Sequence, residues 1–412
     1  HESSNAYRTF TKLKLDWRVF AELFASKINA KLILGDTLLR LETLARQDLD
    51  GFHPLYPLSF RIDFGGEIEV LSPNSSEDKK FKILADQTVT EIKETLDKGK
   101  NVFIFSLRKG LATMTICKDC GEMVACQTCR APVVLYTSKD GKKRMLVCNK
   151  CKTELDADTK CEHCGSWNLL PLGVGTDTVV EYLKDLQKDE GKLKKTKIFK
   201  LDKESAVSAK GAEQIVEEFA NTKGAILIGT EMAFFYIKEK ISLAVIASFD
   251  SLYSIPSFRM SEKILQLIIA ITNKAEKKII IQTKNLEDPA LIAVQNGNLL
   301  SFIREEIKDR EKLEYPPFKR FIKITHLGDK IKTQKAKEIL TEIFKEYSPL
   351  IFSGFHAKLK DKYVTNALIK VDPKKWSYRE LSSNAEIDMN LLAKLASLPP
   401  AFTVSVDPED LL

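Results

Sequence analysis

The residues best placed to do chemistry are eight cysteines: Cys117, Cys120, Cys126, Cys129, Cys148, Cys151, Cys161 and Cys164. They form four Cys-x-x-Cys pairs in one window, and the rest of the chain has none. Such a pair is a knuckle: a tight turn aims two thiolates at one ion, and two knuckles complete the tetrahedral sulfur shell that Zn²⁺ accepts. The pattern predicts two zinc ions. Disulfides would need an oxidising compartment, and one pair alone would suit a thioredoxin-like redox centre, but four pairs together speak against both. Four knuckles can be joined in three ways, and spacing alone does not choose. The nested scheme is favoured because Pro132 to Val147 reads as a hairpin turning at Asp140-Gly141. It would join Cys126, Cys129, Cys148 and Cys151 in one site and leave Cys117, Cys120, Cys161 and Cys164 for the other. His163 is surplus to an all-sulfur shell and reads as an exposed loop residue. Closed sulfur sites have no open position for substrate, so both ions are expected to brace a surface. That surface is basic, with Lys139, Lys142, Lys143, Arg144, Lys150 and Lys152. It suits a phosphate backbone, an acidic protein, or plain solvation.

Around this window the chain must supply a scaffold. Its 412 residues allow roughly two to four domains. With 44% hydrophobic and 29% charged residues it reads as an ordinary folded protein. The net charge of +7 leans only mildly toward polyanions. Its apolar runs fall far short of the roughly 20 residues of a membrane span. No signal-peptide pattern opens the chain, which starts at His1, so it reads as a cytoplasmic fragment lacking its N-terminal part.

Periodicity places the elements. Val89, Ile92 and Leu96 form a helical stripe ended by Gly99, and Val102 to Phe105 reads as a buried strand. Helices are expected from about Thr176, near Glu213 to Ala220 and from Phe258 to Ile271. Strands are expected at Lys197 to Leu201, Ala225 to Gly229, Leu243 to Ser248 and Lys278 to Thr283. This alternation predicts a doubly wound parallel α/β sheet with the cysteine module inserted after its first strand. A helical stretch from Ala290 to Lys312 then leads into a β-α-β-β-α-β order, expected to be a compact α+β domain.

Several segments resemble the bacterial primosomal protein N′ family, superfamily 2 DNA helicases that reload the replication machinery at abandoned forks. Arg108, Lys109 and Gly110 before the first knuckle match that family's basic pair and glycine. Cys164-Gly165-Ser166, Gly173-Val174-Gly175-Thr176-Asp177 and the ILIGTEM stretch from Ile226 to Met232 are similar to its motifs. Asp250, Pro256, Phe258, Arg259, Glu262, Gln266, Tyr315-Pro316-Pro317-Phe318 and Asp407-Pro408 follow its spacing. The resemblance implies a RecA-like second helicase lobe carrying a two-zinc insertion, followed by the α+β C-terminal domain. The expected division is 1–70 for a remnant of the first lobe and linker, 71–289 for the second lobe, 116–167 for the insertion and 290–412 for the last domain. It also implies an ATP- and Mg²⁺-dependent 3′ to 5′ DNA helicase. Its partners would be forked or single-stranded DNA, single-strand-binding protein and other primosome proteins. Read this way, His1-Glu2-Ser3-Ser4 is the tail of motif II, and the phosphate loop lies outside these residues.

The departures from that pattern are informative. Where the family places two motif VI arginines, this chain has Thr272-Asn273-Lys274-Ala275-Glu276-Lys277. Forked guanidinium groups stabilise charge on the transferring phosphate, an effect worth roughly 10³ to 10⁵ in rate, and lysine lacks the fork. Motif III survives only as Gly35-Asp36-Thr37-Leu38-Leu39, and the Lys-Gly after motif V is replaced by Phe235-Tyr236. The expectation is an impaired motor on a scaffold that still folds and binds DNA. The alternative is a zinc-stabilised protein-interaction scaffold with little use for DNA, and a zinc-ribbon RNA binder is a third reading.

The DNA or nucleotide contact candidates are Arg108, Lys109, Gly229, Thr230, Arg259, Lys274 and Lys277. Each also has a plain structural reading. Arg108 and Lys109 suit a solvated strand end. Gly229-Thr230 suits a tight turn, though a hydroxyl and free amides at a helix start would also take a phosphate. Arg259 and Glu262, three apart on a helix, suit an ion pair. Trp376 and Phe355 read as core side chains before base-stacking platforms.

Overall fold

Val102–Phe105 is four apolar residues in succession and all are buried, as a strand covered on both faces requires. In the structure, a computed structural model, the residues described are 7, 16–46, 53–55, 60–62, 64–73, 82–107, 114–117, 119–120, 122, 124–127, 133–137, 144–148, 153–155, 158–172, 175–189, 193, 196–253, 257–359, 362–376, 386–409 and 411. They divide into two compact units: one is Phe60–Pro256 with Lys263–Leu299, the other His1–Ser59 with Ser257–Glu262 and Leu300–Leu412. No helix is long and apolar enough to cross a membrane among the described residues.

The helices in chain order are α1 (Trp17–Lys27), α2 (Leu41–Ala45), α3 (Asp86–Asp97), α4 (Thr176–Asp189), α5 (Ala209–Asn221), α6 (Ala233–Tyr236), α7 (Asp250–Tyr253), α8 (Met260–Thr272), α9 (Pro289–Gln295), α10 (Leu300–Lys312), α11 (Lys330–Ile343) and α12 (Met389–Ala396). The strands of the first unit are β1 (Glu67–Leu71) and β2 (Val102–Phe105), then β3 (Met114–Cys117), β4 (Val133–Thr137), β5 (Arg144–Cys148), β6 (Glu154–Leu155) and β7 (Leu169–Leu172) in the cysteine window. After the window come β8 (Ile198–Leu201), β9 (Ile226–Gly229), β10 (Ile241–Ile246) and β11 (Ala275–Gln282).

Six of these strands form a parallel sheet in the order β1-β11-β10-β2-β9-β8. Ile104, Ile226, Ile228, Val245 and Ile280 pack there with Val89 and Ile92 of α3 and Val179 and Leu183 of α4. This is the expected α/β sheet, and it fits a RecA-like lobe. The cysteine window follows the second strand of the chain, not the first, because β1 precedes it and pairs with β11. Its sequence, Glu-Ile-Glu-Val-Leu, is only partly buried and lacks the apolar run of the central strands. Gly99, at φ +69°, ends α3 where the stripe stops.

The stretch from Ala290 to Lys312 is two helices. Asp288 caps α9 through the amides of Ala290 and Leu291, and Gly297 at φ +65° separates α9 from α10. Only glycine takes that conformation cheaply, so the helical pattern is interrupted there.

In the other unit, β12 (Arg320–Gly328), β13 (Leu350–Leu359), β14 (Lys362–Val371) and β15 (Phe402–Val406) form an antiparallel sheet in the order β13-β14-β12-β15. With α11 and α12 between them, the chain order is β-α-β-β-α-β. Ile322, Ile324, Ala367 and Ile369 bury against Leu340 and Phe344 and against Leu391 and Leu395, so one sheet face is helix-covered. Trp376 belongs to this core. The side chain of Phe355 lies outside the described residues.

Candidate metal centre and the residues around it

Cys117 closes β3, which pairs antiparallel with β7 at Cys117↔Leu169, so both ends of the insertion meet on one two-stranded ribbon. Backbone turns build the knuckles on it. The Cys117 amide donates to Glu122 at 2.8 Å, the Cys161 amide to Ser166 at 2.9 Å, and the Gly165 amide to Cys161 at 2.8 Å. Gly165 takes φ +71°, which lets the chain fold back beneath Cys164. Asp119 of the first knuckle accepts from the Ser166 hydroxyl and, at 2.9 Å, from Asn168 Nδ2.

As a result the sulfurs of Cys117, Cys120, Cys161 and Cys164 lie within 4.8 Å of one another. The contacts Cys117–Cys164 at 3.4 Å and Cys120–Cys161 at 3.5 Å both run between knuckles. A tetrahedron with 2.3 Å metal–sulfur bonds has edges of about 3.8 Å, so the four thiols fit a zinc ion with little movement. Cys117 and Cys161 are buried, Cys120 is half-buried and Cys164 is exposed. Desolvation opposes ionisation of Cys117, but the amides of Cys120 and Asp119 bring its thiol down to about 7. Desolvation pushes Cys120 up to about 12, and the neighbouring thiols add to that rise. Without an ion the four sulfurs compete for protons, the usual state of a site whose ligands must all deprotonate to bind metal.

The inner quartet is less fully described. β4 and β5 form the expected antiparallel hairpin, from Val133↔Cys148 to Thr137↔Arg144. Cys126 is buried in one cluster with Val124, Val133 and Leu146. Cys129 and Cys151, the Asp140-Gly141 turn, and Lys139, Lys142, Lys143, Lys150 and Lys152 lie outside the described residues. His163 is exposed.

Among the contact candidates, Arg108 and Lys109 also lie outside the described residues. Gly229 ends β9, where an added Cβ would come within 2.9 Å of Ala233 Cβ and 3.3 Å of the Leu201 carbonyl oxygen. Close packing is thus a sufficient reason for glycine there. The Thr230 amide does not stand free, since it donates to Leu201 at 3.3 Å. Lys274 donates to the Ile237 carbonyl at 2.6 Å, and burial lowers its pKa. Lys277 is exposed on β11.

Arg259 lies in the second unit and is almost wholly enclosed. It meets Glu42 at 2.5 Å, Glu409 at 3.2 Å and Glu262 at 3.5 Å. Arg310, 1% exposed, meets Glu262 at 2.9 Å, Glu306 at 3.3 Å and Glu42 at 3.4 Å. The ion pair read between Arg259 and Glu262 is therefore one edge of a larger buried network. Desolvation would raise Glu42, yet Arg259, Arg40 and Arg310 hold its carboxyl well below the usual range. Burial and the neighbouring Glu42 raise Glu262. Tyr315 and Phe258 of the family-like stretches pack edge-on against Phe321, so those residues belong to the core of this unit.

No protein-family model matches the chain. It is 27% identical over 399 residues to the replication restart protein PriA of Chlamydia pneumoniae, covering 92% of this chain and 51% of that protein. Its Chlamydia trachomatis counterpart is 26% identical over the same shares, and the Thermotoga maritima protein is 26% identical over 78% of this chain and 42% of its own length. The chain spans about half the length of the curated relatives it matches. Similarity to replication restart proteins named PriA thus runs across nine-tenths of a chain that carries a parallel α/β sheet and a four-thiol cluster.

Proposed function

We propose that this chain is the DNA-binding portion of a replication restart protein that holds two zinc ions and drives ATP hydrolysis poorly. The observation that carries the reading is the four-thiol cluster of Cys117, Cys120, Cys161 and Cys164, set in a chain similar to restart proteins over 92% of its length. An ion bound there would cross-link the first and last knuckles. The nested scheme assigns a second ion to Cys126, Cys129, Cys148 and Cys151.

The motor is proposed to be impaired because the motif VI stretch offers no arginine. Lys274 directs its ammonium to the Ile237 carbonyl, and Arg259 is enclosed by carboxylates. Nothing in that arrangement supplies a forked guanidinium to a phosphate. Forked or single-stranded DNA is the proposed ligand, with single-strand-binding protein and other primosome proteins as partners.

The test pairs a fork-DNA binding series in salt with an ATPase assay. A chain that neutralises several phosphates loses affinity steeply as salt rises. The expected result is salt-sensitive fork binding with little DNA-stimulated hydrolysis. Absence of fork binding at low salt would favour the protein-interaction scaffold, and vigorous DNA-stimulated hydrolysis would overturn the impaired motor.

A further inference from the structure

The four thiols of the outer cluster are not equally placed. Cys117 and Cys161 are buried, Cys120 is half-buried, and Cys164 alone is exposed. A dissolved oxidant therefore meets the Cys164 sulfur first. Its partner at 3.4 Å is Cys117, which belongs to the other knuckle, and the matching contact between Cys120 and Cys161 is likewise between knuckles. The two knuckles are also held together without metal, by the β3–β7 ribbon and by Asp119 accepting from Ser166 and Asn168.

We propose that Cys164 and Cys117 form an oxidation site, in which hydrogen peroxide joins them as a disulfide that replaces the metal as the cross-link between the first and last knuckles. The inference rests on the metal-site reading above. The Cys164 sulfur attacks the peroxide O–O bond, giving a sulfenic acid and one water. The Cys117 sulfur then displaces that hydroxyl, forming the S–S bond and a second water. Two thiols lose two electrons and two protons, and one peroxide becomes two waters. The disulfide withdraws two sulfurs from the metal shell, so oxidation is coupled to zinc release. The module stays closed because the new bond spans the same two knuckles that the ion joined. A disulfide within either knuckle would instead leave them unlinked.

The experiment uses the whole 412-residue chain. Zinc content is measured first, hydrogen peroxide is then titrated in, released zinc is followed with a chromogenic chelator, and disulfides are mapped by peptide mass spectrometry after free thiols are blocked. The expected outcome is a Cys117–Cys164 cross-link that rises in step with zinc release while far-ultraviolet circular dichroism is unchanged. Predominant Cys117–Cys120 or Cys161–Cys164 bonds would overturn the proposal, as would zinc release with no disulfide. Reduced protein that contains no zinc would sink the metal-site reading, while the disulfide map would still decide between the two linkage patterns. In Cys164→Ser, the Cys117 cross-link should be lost, and its persistence through another cysteine would also count against the assignment.

Discussion

At the scale of single residues, Glu42 and Gln282 show how much depends on enclosed polar groups whose partners lie far along the chain. Glu42 sits against Arg259 and Arg310, so Glu42→Ala would leave two enclosed guanidinium groups short of a carboxylate. Breaking a buried pair on one side costs about 3 to 5 kcal/mol, and urea unfolding should register a loss of that size. Gln282, 1% exposed, accepts from the Ala85 amide and the Thr88 hydroxyl and donates to the carbonyls of Ile83 and Ala247. Gln282→Leu keeps the volume but strands those groups, and a loss of roughly 2 to 4 kcal/mol is expected by the same measurement. Neither role could be read in the sequence. Arg259 and Arg310 stand far along the chain from Glu42, as do the partners of Gln282, and no local spacing announces them. Arg259 and Glu262 were legible as a pair because they lie one helical turn apart, whereas Arg310, Glu42 and Glu409 were not.

The elements were legible where the pattern is strong. Val102–Phe105 and Ile226–Gly229 are unbroken apolar runs, and both are strands with every residue buried. β1 is not legible because its glutamates break the run, and the split between α9 and α10 is not because a lone glycine is a weak signal within a helical pattern. In the antiparallel sheet the consequence is a dependence on pH. His326 on β12 is buried beside Phe402, and its Nδ1 has no hydrogen-bond partner among the described residues. Burial lowers its pKa below the ordinary value of 6.5. The unfolded chain therefore takes up a proton near pH 6.5 that the folded sheet resists, so stability contributed above that pH is lost as pH falls below it. Thermal unfolding should show a lower midpoint at pH 5.5 than at pH 7.5. His326→Leu should shrink that difference, and an unchanged difference would rule out this residue as its source.

At the scale of the molecule, the parallel sheet and the antiparallel sheet were both foreseeable from alternation and element order, and so was the hairpin between the inner knuckles. The meeting of the outer knuckles was foreseeable as the favoured one of three pairings, because the hairpin between the inner knuckles leaves the outer ones to each other while spacing by itself does not choose. The β3–β7 ribbon brings them together. If the thiol clusters brace this module, a strong chelator should loosen it while leaving the two larger sheets folded, since their cores contain no cysteine. Circular dichroism should then change little, and protease cuts should concentrate between Cys117 and Cys164; cuts spread evenly along the chain would argue against a local brace. The measurement that bears most directly on the account is elemental analysis of fully reduced protein purified without added metal. Two zinc equivalents per chain are predicted, and fewer than two would contradict the assignment of four sulfurs to each ion.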